Sequence, residues 1–271
     1  MEDYLKKIIP VAVKAGEAIM DIYHSADFGV EMKSDNSPLT LADRASHEII
    51  MEGLKKEFPG IPVLSEEGRD IPYEERKNWE KFWLVDPLDG TKEFIKKNDE
   101  FTVNIALIEN NDAVLGVIYA PALEEENDNH VNDVSVEMKE LDIQLKYGTL
   151  YFGGNGFGAY KKVKNGGLHK IEVNRNKEGK IIAVRSRSHA SPEEEKVFEE
   201  YGVTETISAG SSIKFCRVAE GAAHVYYRHG PTNEWDVGAG YAIAKAAGAS
   251  IRGLTFNKEN VLNGSFLVKS I

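Results

Sequence analysis

The most constraining feature of this 271-residue sequence is a short apolar run that ends in two carboxylates. Residues 82–85, Phe-Trp-Leu-Val, have the composition of a buried β-strand, and the turn Asp86-Pro87-Leu88-Asp89 follows at once. The strand delivers Asp86 to its end, and Asp89 comes three residues later, so both carboxylates and the Leu88 carbonyl can converge on one point. Such a set of oxygen atoms suits a hard cation like Mg²⁺.

Gly90 and Thr91 continue this motif into a predicted helix over residues 91–97. The first backbone amides of that helix would be free to bind phosphate oxygens, so the motif predicts an anion site beside a metal site. The alternative is an Asp-Pro turn followed by an ordinary capped helix, which explains most isolated strings of this kind.

Further acidic side chains lie at the end of an apolar run or at the start of a predicted helix. They are Glu66 and Glu67 after a predicted strand over residues 61–64, Asp236 near the start of a predicted helix over residues 234–248, and Asp43 after Thr40 at the start of a predicted helix over residues 40–58. Each also has an ordinary explanation. Glu66 and Glu67 would form a solvated acidic loop, Asp236 would interact favourably with the helix dipole, and Asp43 would form a capping box with Thr40. Together with the first pair they predict one site of six carboxylates, with Asp43 at a helix start rather than in a core.

The rest of the pattern predicts two lobes of alternating strands and helices. A first helix is predicted over residues 3–23, and Pro10 is expected to kink or divide it. A polar, turn-rich stretch at residues 174–180 precedes a more regular alternation of strand and helix. We therefore predict an α+β lobe at residues 1–178 and an α/β lobe at residues 179–271.

The charge of the chain limits what it can bind. The formal charge is −11, from 44 Asp and Glu against 33 Lys and Arg, which disfavours nucleic acid polymers and anionic lipid. A phosphorylated partner must therefore meet a local positive group such as a metal ion. Residues 201–271 carry seven basic against five acidic side chains, net +2, and form the electropositive part. Residues 124–146 carry eight acidic against two basic side chains, net −6, and are predicted to be a solvated excursion without chemistry.

The composition is that of a folded globular protein, with 42% apolar and 28% charged residues, which excludes a disordered chain. The only cysteine, Cys216, cannot form an intrachain disulfide, and this fits a reducing compartment. The sequence contains no recognisable export signal or membrane span. We therefore expect a cytoplasmic protein without an integral membrane segment.

Four motifs, in their order along the chain, resemble those of the inositol monophosphatase superfamily of Mg²⁺-dependent, lithium-sensitive phosphatases. They are residues 33–43 with their Ser-Pro-x-Thr-x-Ala-Asp pattern, the Ser-Glu-Glu of residues 65–67, residues 83–91, and the Trp-Asp-Val-Gly-Ala-Gly of residues 235–240. The resemblance spans nearly the whole chain. It implies an α/β fold, specifically a layered αβαβα sandwich of the inositol monophosphatase and fructose-1,6-bisphosphatase type.

The resemblance also implies a role for each site residue. The implied ligands of two or three Mg²⁺ ions are Glu66, Asp86, the Leu88 carbonyl, Asp89 and Asp236. The implied roles of the others are that Asp43 and Thr91 orient and activate the attacking water, that Glu67 supports an outer metal ion, and that the amides of Gly90 and Thr91 hold the phosphate. Attack by water would then be direct, without a phosphoenzyme.

Within this superfamily, residues 184–189 and 210–216 resemble segments typical of 3′(2′),5′-bisphosphate nucleotidases of the CysQ type. A nucleoside bisphosphate needs a second phosphate pocket. Its ligands could be the hydroxyl of Ser211, the ammonium of Lys214 and the planar guanidinium of Arg228. His189 could contact the ribose or the base. The alternative is that Lys214 and Arg228 are surface charges and that His189 is structural.

The implied reaction is removal of the 3′-phosphate from adenosine 3′,5′-bisphosphate to leave AMP, and action on 3′-phosphoadenylyl sulfate stays open. The resemblance implies a role in sulfate assimilation or in relieving product inhibition of other enzymes. The partner would be a small phosphorylated nucleotide rather than a nucleic acid polymer. The protein would be a monomer or a homodimer. Peripheral association with the inner membrane is implied only by the resemblance to the family. Two alternatives remain: an inositol monophosphatase, and a catalytically inactive Mg²⁺-binding regulator.

Overall fold

The structure, a computed structural model, describes residues 1–25, 28–32, 38–68, 71–125, 141, 143–187 and 191–271. The helices are α1 (Glu2–Tyr23), α2 (Leu41–Glu57), α3 (Tyr73–Arg76), α4 (Thr91–Lys96), α5 (Pro192–Glu200), α6 (Ile213–Ala219) and α7 (Glu234–Ala246), with a 3₁₀ turn at Glu66–Gly68. The strands are β1 (Glu31–Met32), β2 (Pro38–Leu39), β3 (Val63–Ser65), β4 (Lys81–Asp89), β5 (Thr102–Glu109), β6 (Asp112–Ala120), β7 (Thr149–Gly154), β8 (Gly158–Val163), β9 (Leu168–Ile171), β10 (Ile182–Arg185), β11 (Glu205–Ser208), β12 (Val225–Arg228), β13 (Thr232–Asn233), β14 (Ser250–Arg252), β15 (Leu262–Asn263) and β16 (Phe266–Lys269).

Strands β3 to β9 form a seven-stranded sheet in sequence order. Its pairings are antiparallel except for β3 and β4, which are parallel, so their carboxyl ends lie at the same edge. The central strands are buried on both faces, because α1 and α2 cover one face and α7 covers the other. This explains why β4, β5 and β6 are almost continuously apolar rather than alternating.

The second sheet has five strands in the order β11-β10-β12-β16-β14. One face packs with α6 and α7 against the first sheet, through side chains such as Tyr226 and Phe266. The other face buries Ala183 and Val225 against Phe198 of α5. The layers therefore run helix, sheet, helix, sheet, helix, which confirms the predicted αβαβα sandwich.

Helix α1 runs without a break through Pro10, so division of the helix is wrong, and a kink at Pro10 stays a prediction. Pro10 forfeits one backbone hydrogen bond, but it lies on the exposed side of the helix. The opposite side, with Leu5, Ile8 and Ala12, is fully buried against the first sheet and α2. Tertiary packing of this apolar stripe outweighs the local cost of the proline.

The acidic stretch is not uniformly solvated. Residues 126–140 and 142 lie outside the described residues, but the Glu125 side chain is only 14% exposed. It pairs with Arg217 at 2.5 Å and with Lys161. Ile143 is buried in the hydrophobic core that also contains the apolar side of α1. The predicted solvated excursion is therefore wrong at Glu125 and Ile143, whereas Glu124 and Lys146 are exposed as expected. A run of charge does not show which of its members find buried partners.

The division into lobes at residue 178 stays a prediction. Strands β3 to β9 precede that point and the strands of the second sheet follow it, whereas α7 packs against both sheets. In the described parts of the chain no helix is both long and apolar enough to cross a membrane.

Candidate active site

The predicted strand does not stop at Asp86 but continues to Asp89 as β4. Its pairing with β5 shifts register between these two residues, with Asp86 opposite Asn104 and Asp89 opposite Thr102. Side chains three apart on a regular strand point to opposite faces, and a bulge removes one step of that alternation. The irregularity therefore lets Asp86 and Asp89 approach one site.

Four of the predicted carboxylates meet at this edge. Burial and the neighbouring charges of Glu66, Asp89 and Asp236 raise the pKa of the Asp86 carboxyl well above its ordinary value. Burial, followed by the charge of Asp89, does the same to the pKa of Asp236 at the start of α7. Glu66 arrives from the 3₁₀ turn after β3, whose parallel pairing with β4 aligns the two strand ends. Close, buried like charges are costly unless a proton or a cation compensates them.

The donor chemistry of this cluster fits a hard divalent cation, because the candidate ligands are all oxygen atoms and their charges repel one another. Within the described ranges, however, no three His, Cys, Asp or Glu side chains are grouped closely enough to hold a metal ion. The assignment of a cation to this cluster therefore rests on the oxygen ligands and on the repulsion between their charges, rather than on a preformed coordination site. Waters and the Leu88 carbonyl would have to complete the coordination.

Asp43 lies at the start of α2 as predicted, but it is 1% exposed, so the expectation that it sits outside the core is wrong. Its Oδ2 accepts from the Thr40 backbone N–H at 2.7 Å and from the Thr40 hydroxyl at 2.6 Å, which completes a capping box. Its Oδ1 faces the Thr91 hydroxyl at 3.3 Å. Ser46, one turn further along the helix, donates to the Pro87 carbonyl at 2.6 Å and fixes α2 to the end of β4.

Glu67 lies beside His47 of α2. Burial lowers the pKa of His47, and the charges of Glu67 and Glu48 oppose this shift. The Nδ1 atom of His47 is 3.1 Å from the Ser65 hydroxyl, just before the acidic turn. Glu67 therefore lies near His47, and its role with a metal ion stays a prediction.

A cavity of about 160 Å³ adjoins the carboxylates and is lined by Asp89, Gly90, Ser211, Lys214, Arg228 and Asp236 among others. Lys214 is 7% exposed and donates to the Ser211 carbonyl at 2.6 Å. Burial lowers the pKa of its ammonium to about 8, against the charge of Asp89. The alternative that Lys214 is a surface charge is therefore wrong.

Arg228 ends β12 at the same cavity. Its Nε–H is buried, and no acceptor among the described residues bonds to it. A buried donor on a cation without a partner is costly, so it marks a place where an anion would bind favourably. His189, the fourth predicted residue of this pocket, lies outside the described residues.

The turn at Gly90 joins the carboxylate cluster to this cavity. Gly90 has a φ of 88°, which favours glycine. A Cβ there would lie 3.0 Å from the Glu100 carbonyl oxygen and 3.3 Å from the Ser211 Cβ. Two predicted binding turns, one at Gly90 and one at Ser211, are therefore in contact. Ser211 itself has a φ of 38°, a strained conformation for a residue with a side chain.

Sequence reasoning missed several residues of this region. Arg187 forms a two-pronged pair with Glu100 at the rim, at 2.8 and 2.7 Å, and Tyr226 lines the cavity from β12. Asn104 and Ser212 link the strand β5 to Asp89. A signal for Asn104 was available, because it is a polar residue inside the otherwise apolar run of residues 103–108.

The chain matches the model of the inositol monophosphatase family over residues 1–270. It is 45% identical over 249 residues to the 3′(2′),5′-bisphosphate nucleotidase CysQ of Escherichia coli O157:H7, covering 91% of this chain and 89% of that protein. It is 43% identical over 272 residues to the CysQ of Salmonella typhimurium, covering 97% and 98% of the two chains. The crystal structure of CysQ from Bacteroides thetaiotaomicron, described as a bacterial member of the inositol monophosphatase family, superimposes with a TM-score of 0.77 at 41% identity, covering 97% of this chain and 95% of that one.

Proposed function

Since this chain belongs to the inositol monophosphatase family, we propose that it is a Mg²⁺-dependent 3′(2′),5′-bisphosphate nucleotidase. The proposed reaction removes the 3′-phosphate of adenosine 3′,5′-bisphosphate and gives AMP and phosphate, and it extends to 3′-phosphoadenylyl sulfate if the pocket accepts the sulfated group. The similarity to two bisphosphate nucleotidases of the CysQ type supports this reaction. We expect it to take place in the cytoplasm, in a role within sulfate assimilation.

One observation carries the proposal: the cavity that the carboxylates Asp89 and Asp236 line is also lined by two basic side chains, Lys214 and Arg228. A substrate with a single phosphate needs only the cluster. A bisphosphate also needs a second positive site at a short distance, and the unpartnered Nε of Arg228 together with the buried ammonium of Lys214 supplies one. This pairing favours a nucleoside bisphosphate over an inositol monophosphate.

In this proposal two or three Mg²⁺ ions would be held by the carboxylates of Glu66, Asp86, Asp89 and Asp236 and by the Leu88 carbonyl, and Glu67 would support an outer ion. The bound ions would cancel the charge of the phosphate dianion, lower the pKa of bound water and stabilise the departing oxygen.

The protein itself orients the nucleophile. The Thr91 hydroxyl has one hydrogen and two acceptors at 3.3 Å, Asp43 Oδ1 and the Leu88 carbonyl. When it donates to Asp43, its own lone pairs are left to accept a hydrogen from water, and the Leu88 carbonyl is left without this donor. The proton that the attacking water loses can then pass through Thr91 to Asp43.

The substrate is held at both phosphates. Backbone amides of Gly90 and Thr91 hold the 3′-phosphate, and Ser211, Lys214 and Arg228 hold the 5′-phosphate, with His189 against the ribose or base. Water attacks phosphorus in line with the 3′-oxygen, the P–O3′ bond breaks, and that oxygen leaves as the ribose hydroxyl after it gains a proton. No phosphoenzyme forms, so labelled phosphate should not transfer to the protein.

A small substrate panel tests the proposal. Adenosine 3′,5′-bisphosphate, inositol 1-phosphate and fructose 1,6-bisphosphate are each incubated with the protein and Mg²⁺, with and without lithium, and phosphate release is measured. We expect the adenosine bisphosphate to be hydrolysed fastest and lithium to inhibit. Fastest release from inositol 1-phosphate would assign the chain as an inositol monophosphatase. No release from any substrate would favour a catalytically inactive Mg²⁺-binding regulator.

A further inference from the structure

Strand β5 carries two buried polar side chains directly across from the acidic end of β4. Asn104 is 1% exposed and lies opposite Asp86, and Thr102 is 0% exposed and lies opposite Asp89. Directly opposite residues of an antiparallel pair point to the same face. Both side chains therefore reach the same edge as the carboxylates.

These two side chains form hydrogen bonds with the turn that precedes α6. The Thr102 hydroxyl lies 2.9 Å from Asn104 Oδ1 and 3.3 Å from the Ser211 hydroxyl. Asn104 Nδ2 donates to the Ser212 hydroxyl at 2.9 Å and reaches Asp89 Oδ2 at 3.5 Å. The Ser212 hydroxyl lies 3.0 Å from Asp89 Oδ2 and 2.7 Å from the Asp236 carbonyl.

The acceptors in this set of hydrogen bonds limit which way each donor can point. The Asp89 carboxylate only accepts hydrogen bonds, so the amide nitrogen of Asn104 must face it, and the two hydrogens of that nitrogen serve Ser212 and Asp89. The single hydroxyl hydrogen of Ser212 goes either to Asp89 or to the Asp236 carbonyl, which also only accepts. Asn104 Oδ1 is then left as the acceptor for Thr102. The Thr102 hydroxyl thus donates to Asn104, and the amide nitrogen of Asn104 in turn reaches one oxygen of Asp89.

Stability alone gives little reason for this arrangement. Replacing both partners of a buried hydrogen bond with apolar groups of the same shape is often nearly neutral, and the neighbours of Asn104 on β5 are apolar. Buried hydrogen bonds to a candidate metal ligand are instead typical of side chains that fix the orientation of that ligand. The same set of hydrogen bonds also includes Ser211, which lines the proposed second phosphate pocket.

We propose that Asn104 is a positioning residue, which with Thr102 and Ser212 holds the Asp89 carboxylate in the orientation that binds Mg²⁺ and ties it to the second phosphate pocket. The inference rests on the proposed function only in taking Asp89 as a Mg²⁺ ligand. It does not depend on which phosphate ester is hydrolysed.

The test is Mg²⁺ binding by calorimetry to the full-length protein, without any substrate. Asn104→Leu removes the amide at similar size, and Thr102→Val removes one hydroxyl isosterically. Thr149→Val is the matched control, because Thr149 is equally buried but donates to the Leu123 carbonyl from β7. Thermal unfolding in the presence of a chelator records whether each variant is folded.

We expect Asn104→Leu to weaken Mg²⁺ binding about 10- to 100-fold, Thr102→Val to weaken it less, and Thr149→Val to leave it unchanged. The Mg²⁺ concentration for half-maximal activity should rise in parallel. Unchanged Mg²⁺ affinity in both Asn104→Leu and Thr102→Val would overturn the inference, and if Asn104→Leu does not fold, Thr102→Val decides in the same way. A wild-type protein that binds no Mg²⁺ would overturn this inference and the proposed metal site together, whereas a preference for inositol 1-phosphate would overturn only the proposed substrate.

Discussion

The Thr91 hydroxyl lies 3.3 Å from Oδ1 of Asp43, although 48 positions of sequence separate the two residues. The other oxygen of Asp43 accepts the two hydrogen bonds of the α2 cap. One carboxylate thus has an oxygen that caps α2 and an oxygen that faces the Thr91 hydroxyl, which makes its two roles separable by mutation.

Asp43→Asn should lower kcat by about 100- to 10,000-fold, the range for loss of a general base, with little change in KM. The asparagine oxygen can still accept from Thr40, so the melting temperature should stay close to that of the wild type. Steady-state kinetics and thermal unfolding measure the two effects. Asp21→Asn, at an exposed position of α1, is the control. Turnover comparable to the wild type in Asp43→Asn would remove its assigned role.

Asp89→Asn should change stability in opposite directions with and without Mg²⁺. Burial raises the pKa of Asp89 above its ordinary value, so at pH 7 its ionised form opposes folding, and removing the charge should stabilise the metal-free protein by of order 1 kcal/mol. Mg²⁺ at about 100 times its Kd should stabilise the wild type by about 2.7 kcal/mol and the variant much less. Thermal melts with chelator and with Mg²⁺ give both values, with exposed Asp3→Asn as the control. An unchanged Mg²⁺ response would take Asp89 out of the ligand set.

The lowered pKa of Lys214, about 8, predicts a pH dependence specific to the second phosphate. Burial disfavours its charged form, Arg228 adds to this effect, and Asp89, Glu93 and Glu100 oppose it. Lys214 is charged below that pKa and neutral above it, so kcat/KM for adenosine 3′,5′-bisphosphate should fall as the pH rises through about 8. Adenosine 3′-monophosphate, which has no 5′-phosphate, should not show this fall, and neither should Lys214→Met with the bisphosphate. The same decline with both substrates would assign the titration to another group.

Arg228→Met should raise KM for adenosine 3′,5′-bisphosphate about 10- to 100-fold, because charged hydrogen bonds are worth about 1.5–3 kcal/mol. KM for adenosine 3′-monophosphate should change little. Arg252→Met, at an exposed position of β14, should leave both unchanged. An equal loss with the two substrates would mean that Arg228 supports the fold or the metal site rather than the second phosphate.

The parts of this protein that follow local rules could be predicted from its sequence. The start of α2 at Thr40 and the buried run of β4 up to Asp86 were predictable, because capping residues and apolar runs act over a few positions. The continuation of β4 through Pro87 was not, since it depends on a register shift against β5. The undivided α1 likewise depends on packing that the local signal of Pro10 does not contain.

The same limit applies to the site. Sequence motifs singled out the carboxylates, yet the contact between the Gly90 turn and the Ser211 turn arises only when the two sheets pack together. Asn104 is separated from Ser212 by 108 positions, so no local pattern could join them. The pairing of Glu125 with Arg217 and Lys161 was missed for the same reason.

The central claim is that Lys214 and Arg228, two basic side chains beside the carboxylate cluster, select a substrate with two phosphates. The most direct measurement is the ratio of kcat/KM for adenosine 3′,5′-bisphosphate to kcat/KM for adenosine 3′-monophosphate, at neutral pH with saturating Mg²⁺. We predict a ratio of about 10 or more, since one charged hydrogen bond from Arg228 or Lys214 is worth about that factor. A ratio near one would contradict the claim.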